Sequence, residues 1–140
     1  MKRILIVEDD EKIQNILREF LWASGYETRS AQDGVAGIAR FREGPVDLIL
    51  LDIMMPKMDG YAVLELIRQE SNVPVILLTA LEQEDNQLKG FDLAADDYIV
   101  KPCSMEVLLR RVEAVLRRGA PLAHGEQSDP GWLSLHLIYI

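Results

Sequence analysis

Val46-Asp47-Leu48-Ile49-Leu50-Leu51-Asp52 is the stretch on which the fold turns. An apolar run of this length, followed by Ile53-Met54-Met55-Pro56, predicts a buried strand of a parallel sheet. Asp52 closes the run. Open α/β sheets place their sites at the carboxyl ends of their strands, so a carboxylate there is a candidate for chemistry.

The same strand-then-helix alternation extends in both directions. Ile4 to Val7 is a β-branched apolar run, and Asp10 to Ala23 repeats Ile13, Ile16, Leu17, Phe20 and Leu21 at helical spacing up to a stop at Gly25. Tyr26 to Ser30 predicts a short strand. Asp33 to Arg42 predicts a helix with Val35, Ile38, Ala39 and Phe41 inward, closed by Gly44-Pro45. Asp59-Gly60 opens a third helix carrying Val63, Leu64 and Ile67. Val73 to Leu78 predicts a fourth strand, Glu82 to Lys89 the start of a fourth helix, and Tyr98 to Val100 a fifth strand. Ser104 caps a last helix reaching about Arg118, with Val107, Leu108, Val112, Val115 and Leu116 inward. This (βα)5 pattern implies an α/β, flavodoxin-like three-layer fold with right-handed crossovers and strand order 2-1-3-4-5.

Residues 1–118 therefore form the predicted domain. Gly119 to Gly131 reads as a linker, and Trp132 to Ile140 as an apolar, strand-like tail. That tail is either a disordered end, the start of a missing domain, or a segment that pairs with a sheet edge or another copy.

Composition narrows the function. The chain has 140 residues, of which 49% are hydrophobic, enough for one packed core. No run approaches the roughly 18 apolar residues that span a bilayer. Met1-Lys2-Arg3 leads straight into a strand with no small-residue cleavage site, so a cytoplasmic protein is expected. The single cysteine, Cys103, excludes an intrachain disulfide. A net charge of −8 disfavours nonspecific nucleic-acid binding.

Part of that acidity is clustered. Glu8-Asp9-Asp10 follows the first strand. With strands one and three adjacent, Asp9 and Asp52 meet, and carboxylates so close repel unless a cation relieves them. Mg2+ takes about six oxygens, often from one or two carboxylates, waters and a phosphate. Glu8 can act through a water, and the Met54 carbonyl can add an oxygen. A plainer reading makes the acidic run an ordinary helix N-terminus. The other strand ends decide against it: Thr79-Ala80 ends the fourth and Lys101-Pro102 the fifth. A carboxylate nucleophile, a metal, a hydroxyl and an ammonium at one sheet edge describe formation of an aspartyl phosphate at Asp52.

ILIVEDD (4–10), LLDIMMPKMDG (50–60), LLTA (77–80) and ADDYIVKP (95–102) resemble the motifs of the receiver domain of two-component response regulators. The resemblance covers about residues 2–118, and DDYIVKP before a basic last helix is most similar to the winged-helix (OmpR/PhoB) subfamily. It implies that Asp52 takes phosphate from a sensor histidine kinase with Mg2+, or Mn2+ or Ca2+ as substitutes. Asp9, Asp52, the Met54 carbonyl and water-linked Glu8 would hold the metal. Lys101 would contact the phosphoryl group, and Thr79 and Tyr98 would form a switch pair. The subfamily dimerises through its fourth helix, fifth strand and fifth helix, which implicates Asp97, Arg111 and Lys89. DNA would be reached only through a C-terminal domain absent from these residues, and no membrane contact is implied. Cys103 stands where the family usually has Phe, and reads as a partly buried, inert thiol. Val107 replaces a Glu of another expected pair.

Two rival functions fit the same fold less well. A phosphatase of the haloacid dehalogenase type needs a second Asp two residues after the nucleophile, and Met54 occupies that position. A flavin module wants a glycine- and hydroxyl-rich phosphate loop after the first strand, where this chain has Glu8-Asp9-Asp10. The expected protein is a phosphoacceptor with at most slow self-dephosphorylation.

Overall fold

The computed structural model describes residues 1–55, 58–80, 95–118 and 140. Five strands, β1 (Arg3–Val7), β2 (Glu27–Ala31), β3 (Leu48–Asp52), β4 (Val75–Ala80) and β5 (Asp97–Lys101), form one parallel sheet. Its order is β2-β1-β3-β4-β5, as expected. The described helices are α1 (Glu11–Ala23), α2 (Gly34–Glu43), α3 (Gly60–Glu70) and α4 (Met105–Arg117). The helix expected from Glu82 lies outside the described residues.

Strand alternation divides the core in two. Ile4, Ile6, Leu48 and Leu50 join Leu17, Phe20 and Leu21 of α1 and Leu108, Val112 and Val115 of α4. Leu5, Val7, Ile49 and Leu51 point the other way, to Ile38 of α2 and Val63, Leu64 and Ile67 of α3. Because both faces are covered, the central strands are apolar throughout. Burying each such side chain is worth roughly 1.5–3 kcal/mol, and this holds the strand ends in register.

The helices start where capping residues stand. Asp10 accepts from the Lys12 and Ile13 amides, Asp33 from Ala36, Asp59 from Ala62 and Ser104 from Val107. Gly25, at φ 96°, ends α1 in a backbone region that favours glycine. Pro74 has no amide to give the sheet, and β4 starts at Val75, two residues after the predicted start.

Two helix faces differ from expectation. Val35 is 59% exposed and Ala39 is exposed; Gly34, Gly37 and Ile38 face inward instead. The reason is close packing. A Cβ on Gly34 would lie 2.6 Å from Val63 Cγ2, and one on Gly37 3.0 Å from Val7 Cγ2. The helix thus rests on its glycines and turns Val35 outward. Val107 is also exposed, because Met105, Leu108, Leu109 and Val112 define the buried stripe of α4.

Gly60 links this packing to Asp52. A Cβ there would meet Ile53 Cα at 2.6 Å and the Asp52 carbonyl oxygen at 2.8 Å. Backbone cannot yield as a flexible side chain does. Gly60→Ala is therefore expected to destabilise the fold by about 1–3 kcal/mol in urea unfolding, and wild-type stability would refute this tight contact.

Candidate functional site

Register builds the site. Val7 pairs with Leu51, so the residues following β1 emerge beside Asp52. Asp52 pairs with Leu78, and Ala80 with Lys101. Four strand ends thus deliver Glu8, Asp9, Asp52, Thr79 and Lys101 to one edge.

Lys101 joins the group. Its Nζ donates to Glu8 Oε1 at 3.0 Å and to Asp52 Oδ2 at 3.2 Å. The other Asp52 oxygen, Oδ1, accepts the Met54 amide at 2.9 Å. Asp52 is thereby fixed at both oxygens while buried. Thr79 is 1% exposed, and its hydroxyl donates to the Ala80 carbonyl at 3.3 Å. Carboxylate oxygens of Glu8, Asp9 and Asp52 all lie within 4.8 Å of one another. Glu8 Oε2 is shielded from solvent and accepts no hydrogen bond from any described residue.

One ammonium, bonded to two members, serves a cluster of three carboxylates, and the imbalance falls on Glu8. Burial, then the neighbouring Asp52, pushes its carboxyl up to about 9. Burial alone would lower the Lys101 pKa, but Asp52 and Glu8 outweigh it and keep the ammonium charged. Hard oxygens, excess negative charge and a buried oxygen with no hydrogen-bond partner among the described residues fit a divalent cation such as Mg2+.

Asp9, Asp52, Glu8, Thr79 and Lys101, each expected at the site, are brought to this one edge. Tyr98 pairs with Leu77 in the sheet; its ring packs on the α2 and α3 side of the core, with its hydroxyl oxygen shielded from solvent. Asp97 and Arg111, expected at a dimer interface, bond to each other within this chain at 2.9 Å. Lys89 lies outside the described residues. Cys103 is buried, and its thiol is pushed up to about 11 by that burial, as suits an inert cysteine.

One contributor escaped the sequence reading. Gln14 is buried, and its side-chain amide donates to the Glu8 and Ala31 carbonyls, pinning the loop that carries the acids. A polar residue on the apolar face of α1 was the available signal. Asp96 does not serve the site: it accepts from Arg68 at 3.0 Å and from the Val75 amide at 2.8 Å, anchoring the opposite strand ends.

Residues 4–113 match the response regulator receiver domain. The chain belongs to the receiver domain family of response regulators. It is a phosphorylation-activated switch of two-component signalling, and its family is one of regulators, not enzymes. The regulatory protein VanRB of Enterococcus faecalis is 45% identical over 121 residues, covering 86% of this chain and 55% of that protein. The transcriptional regulatory protein RprY of Bacteroides fragilis is 46% identical, over 83% of this chain and 50% of its own length. This receiver domain thus spans about half the length of the curated relatives it matches. The response regulator TrrA of Thermotoga maritima, solved in complex with Mg2+-BeF, superposes with a TM-score of 0.75 at 37% identity, covering 82% of this chain and 99% of TrrA. Among the described residues no helix is long and apolar enough to cross a membrane.

The Glu8 shift has a measurable sign. The folded chain binds this proton more tightly than the unfolded one, near pH 9 against 4.5. The associated stability is full below the unfolded value and is lost as pH rises through the folded one. In chelator, the melting temperature should fall across that window relative to Glu8→Gln, and Mg2+ should flatten the difference. Parallel profiles in chelator would refute the charge imbalance.

Proposed function

We propose that Asp52 accepts a phosphoryl group from a phosphohistidine of a sensor histidine kinase. The observation that carries this reading is the Asp52 carboxylate, fixed between the Lys101 ammonium and the Met54 amide beside two further acids. An Asp52 oxygen attacks phosphorus, an O–P bond forms, and the P–N bond breaks. The imidazole leaves with the bonding pair and takes up a proton. Lys101 contacts the phosphoryl oxygens and offsets their charge. Asp9, Asp52 and the Met54 carbonyl would hold Mg2+ (or Mn2+ or Ca2+), with Glu8 acting through a water. When bound, the ion neutralises phosphoryl charge.

The aspartyl phosphate is a signal and not a turnover intermediate. Met54 occupies the position where a phosphatase needs a proton-transferring acid, so self-dephosphorylation is slow. A small phosphodonor with Mg2+ should add one phosphoryl group to Asp52 by mass spectrometry. No addition, or addition that survives Asp52→Asn, would overturn the assignment. Multiple turnover of a generic phosphoester would favour the phosphatase instead.

Thr79 and Tyr98 form the proposed switch. Thr79 moves to a phosphoryl oxygen, and Tyr98 occupies the space beside it, repacking the outer face of β5. That face, with α4 and the helix expected at Glu82 to Lys89, makes the homodimer. Asp97 and Arg111 would exchange their in-chain bond for one between chains. The exposed Val107, where a charged pair is expected, weakens the association. Thr79→Ala should leave phosphorylation at Asp52 nearly intact while reducing phosphate-dependent dimer by sedimentation. Loss of phosphorylation itself would sink the switch assignment.

The receiver spans residues 1–118, and 119–140 comprise a linker and an apolar tail. In the whole cytoplasmic protein, a C-terminal domain absent from these residues would bind DNA and regulate transcription. RprY, named as a transcriptional regulatory protein and matched over only 50% of its own length, supports that reading.

A further inference from the structure

The loop between β5 and α4 carries a contact that phosphotransfer does not use. Ile140 pairs with Cys103 through both backbone groups. The Ile140 amide donates to the Cys103 carbonyl at 3.1 Å, and the Cys103 amide donates to the Ile140 carbonyl at 3.3 Å. Two reciprocal bonds are the unit of strand pairing. Ile140 also packs against the apolar cluster that contains Cys103, Met105 and Leu108. Backbone pairing beside an apolar pocket is how proteins capture an extended peptide.

The sequence makes this position suitable. Cys103 stands after Lys101-Pro102 with a small side chain, which leaves room for a neighbour. It precedes the first turn of α4, so its backbone groups are not consumed by that helix. Ile140 supplies an apolar, β-branched residue, well suited to an extended, half-buried position.

We propose that Cys103 and the cluster beneath it form a docking slot for an extended apolar residue, and that the occupant is Ile140 of the same chain. The occupied slot shields the Cys103 thiol and ties residue 140 to the loop that carries Lys101. Cys103 is buried beside this contact, and its thiol is pushed up to about 11, so an opened slot should show as faster thiol chemistry.

The test uses the full chain without Mg2+ or phosphodonor, so it stands or falls separately from the phosphoacceptor reading. Maleimide labelling of Cys103 should be slow in the unaltered chain. Labelling should rise about tenfold or more in Ile140→Pro, which lacks the amide donor, and in Ile140→Asp, which loses the apolar contact. Unchanged rates in both variants would overturn the proposal. Amide hydrogen exchange of the unaltered chain gives a readout free of substitution: the Cys103 amide should be protected, and free exchange there would also overturn it. Protection independent of protein concentration supports the same-chain occupant. Protection that fades on dilution would assign Ile140 to a second copy and refute this one.

Discussion

The Lys101 ammonium, set between Glu8 and Asp52, is the interaction on which the site depends. Its partners are 93 and 49 residues away in sequence, so only the folded sheet joins them. Without it, buried carboxylates would face one another with no counter-charge. Removing one partner of such a buried group typically costs about 3–5 kcal/mol. With it, one charge is balanced and the remaining acidity is left for an incoming cation. The same ammonium lies where charge on a phosphoryl group would develop.

This arrangement demands rigid strand ends, and the packing supplies them. The central strands are covered on both faces, so β1 and β3 cannot slip without moving an apolar row into the wrong layer. Smaller devices act nearer the chemistry. Gln14 ties the Glu8 backbone to β2, and the Met54 amide orients Asp52. Gly60 lets α3 begin against the Asp52-Ile53 backbone, where any side chain would push it away. Each converts core stability into position at one carboxylate.

What was legible in the sequence followed from elements whose physics is local. Apolar β-branched runs marked the strands, capping Asp and Ser residues marked helix starts, and chemistry-bearing residues at strand ends pointed to the edge where the structure gathers them. Errors arose where apolarity was taken as direction. Val35 and Val107 are apolar yet exposed, because close-packed glycines orient α2 and a different stripe orients α4. Partner choice was also hidden. Nothing local tells Lys101 to bind Glu8, makes Asp96 bind Arg68 rather than join Asp97 at the surface, or pairs Asp97 with Arg111 inside one chain. These depend on strand register, which composition does not encode.

The shared lysine suggests how phosphate on Asp52 would be felt elsewhere. Lys101 now divides its donors between two carboxylates. A phosphoryl group on Asp52 would present more negative charge than the carboxylate it replaces, and would draw the ammonium from Glu8. Lys101 ends β5, so that pull acts along the strand that carries Tyr98 and Asp97. Asp97 holds Arg111 of α4 at the surface. A change in charge at a buried carboxylate is therefore one strand removed from an exposed ion pair on the outer face. Under the proposed phosphotransfer, competition for a single ammonium would couple Asp52 to that surface.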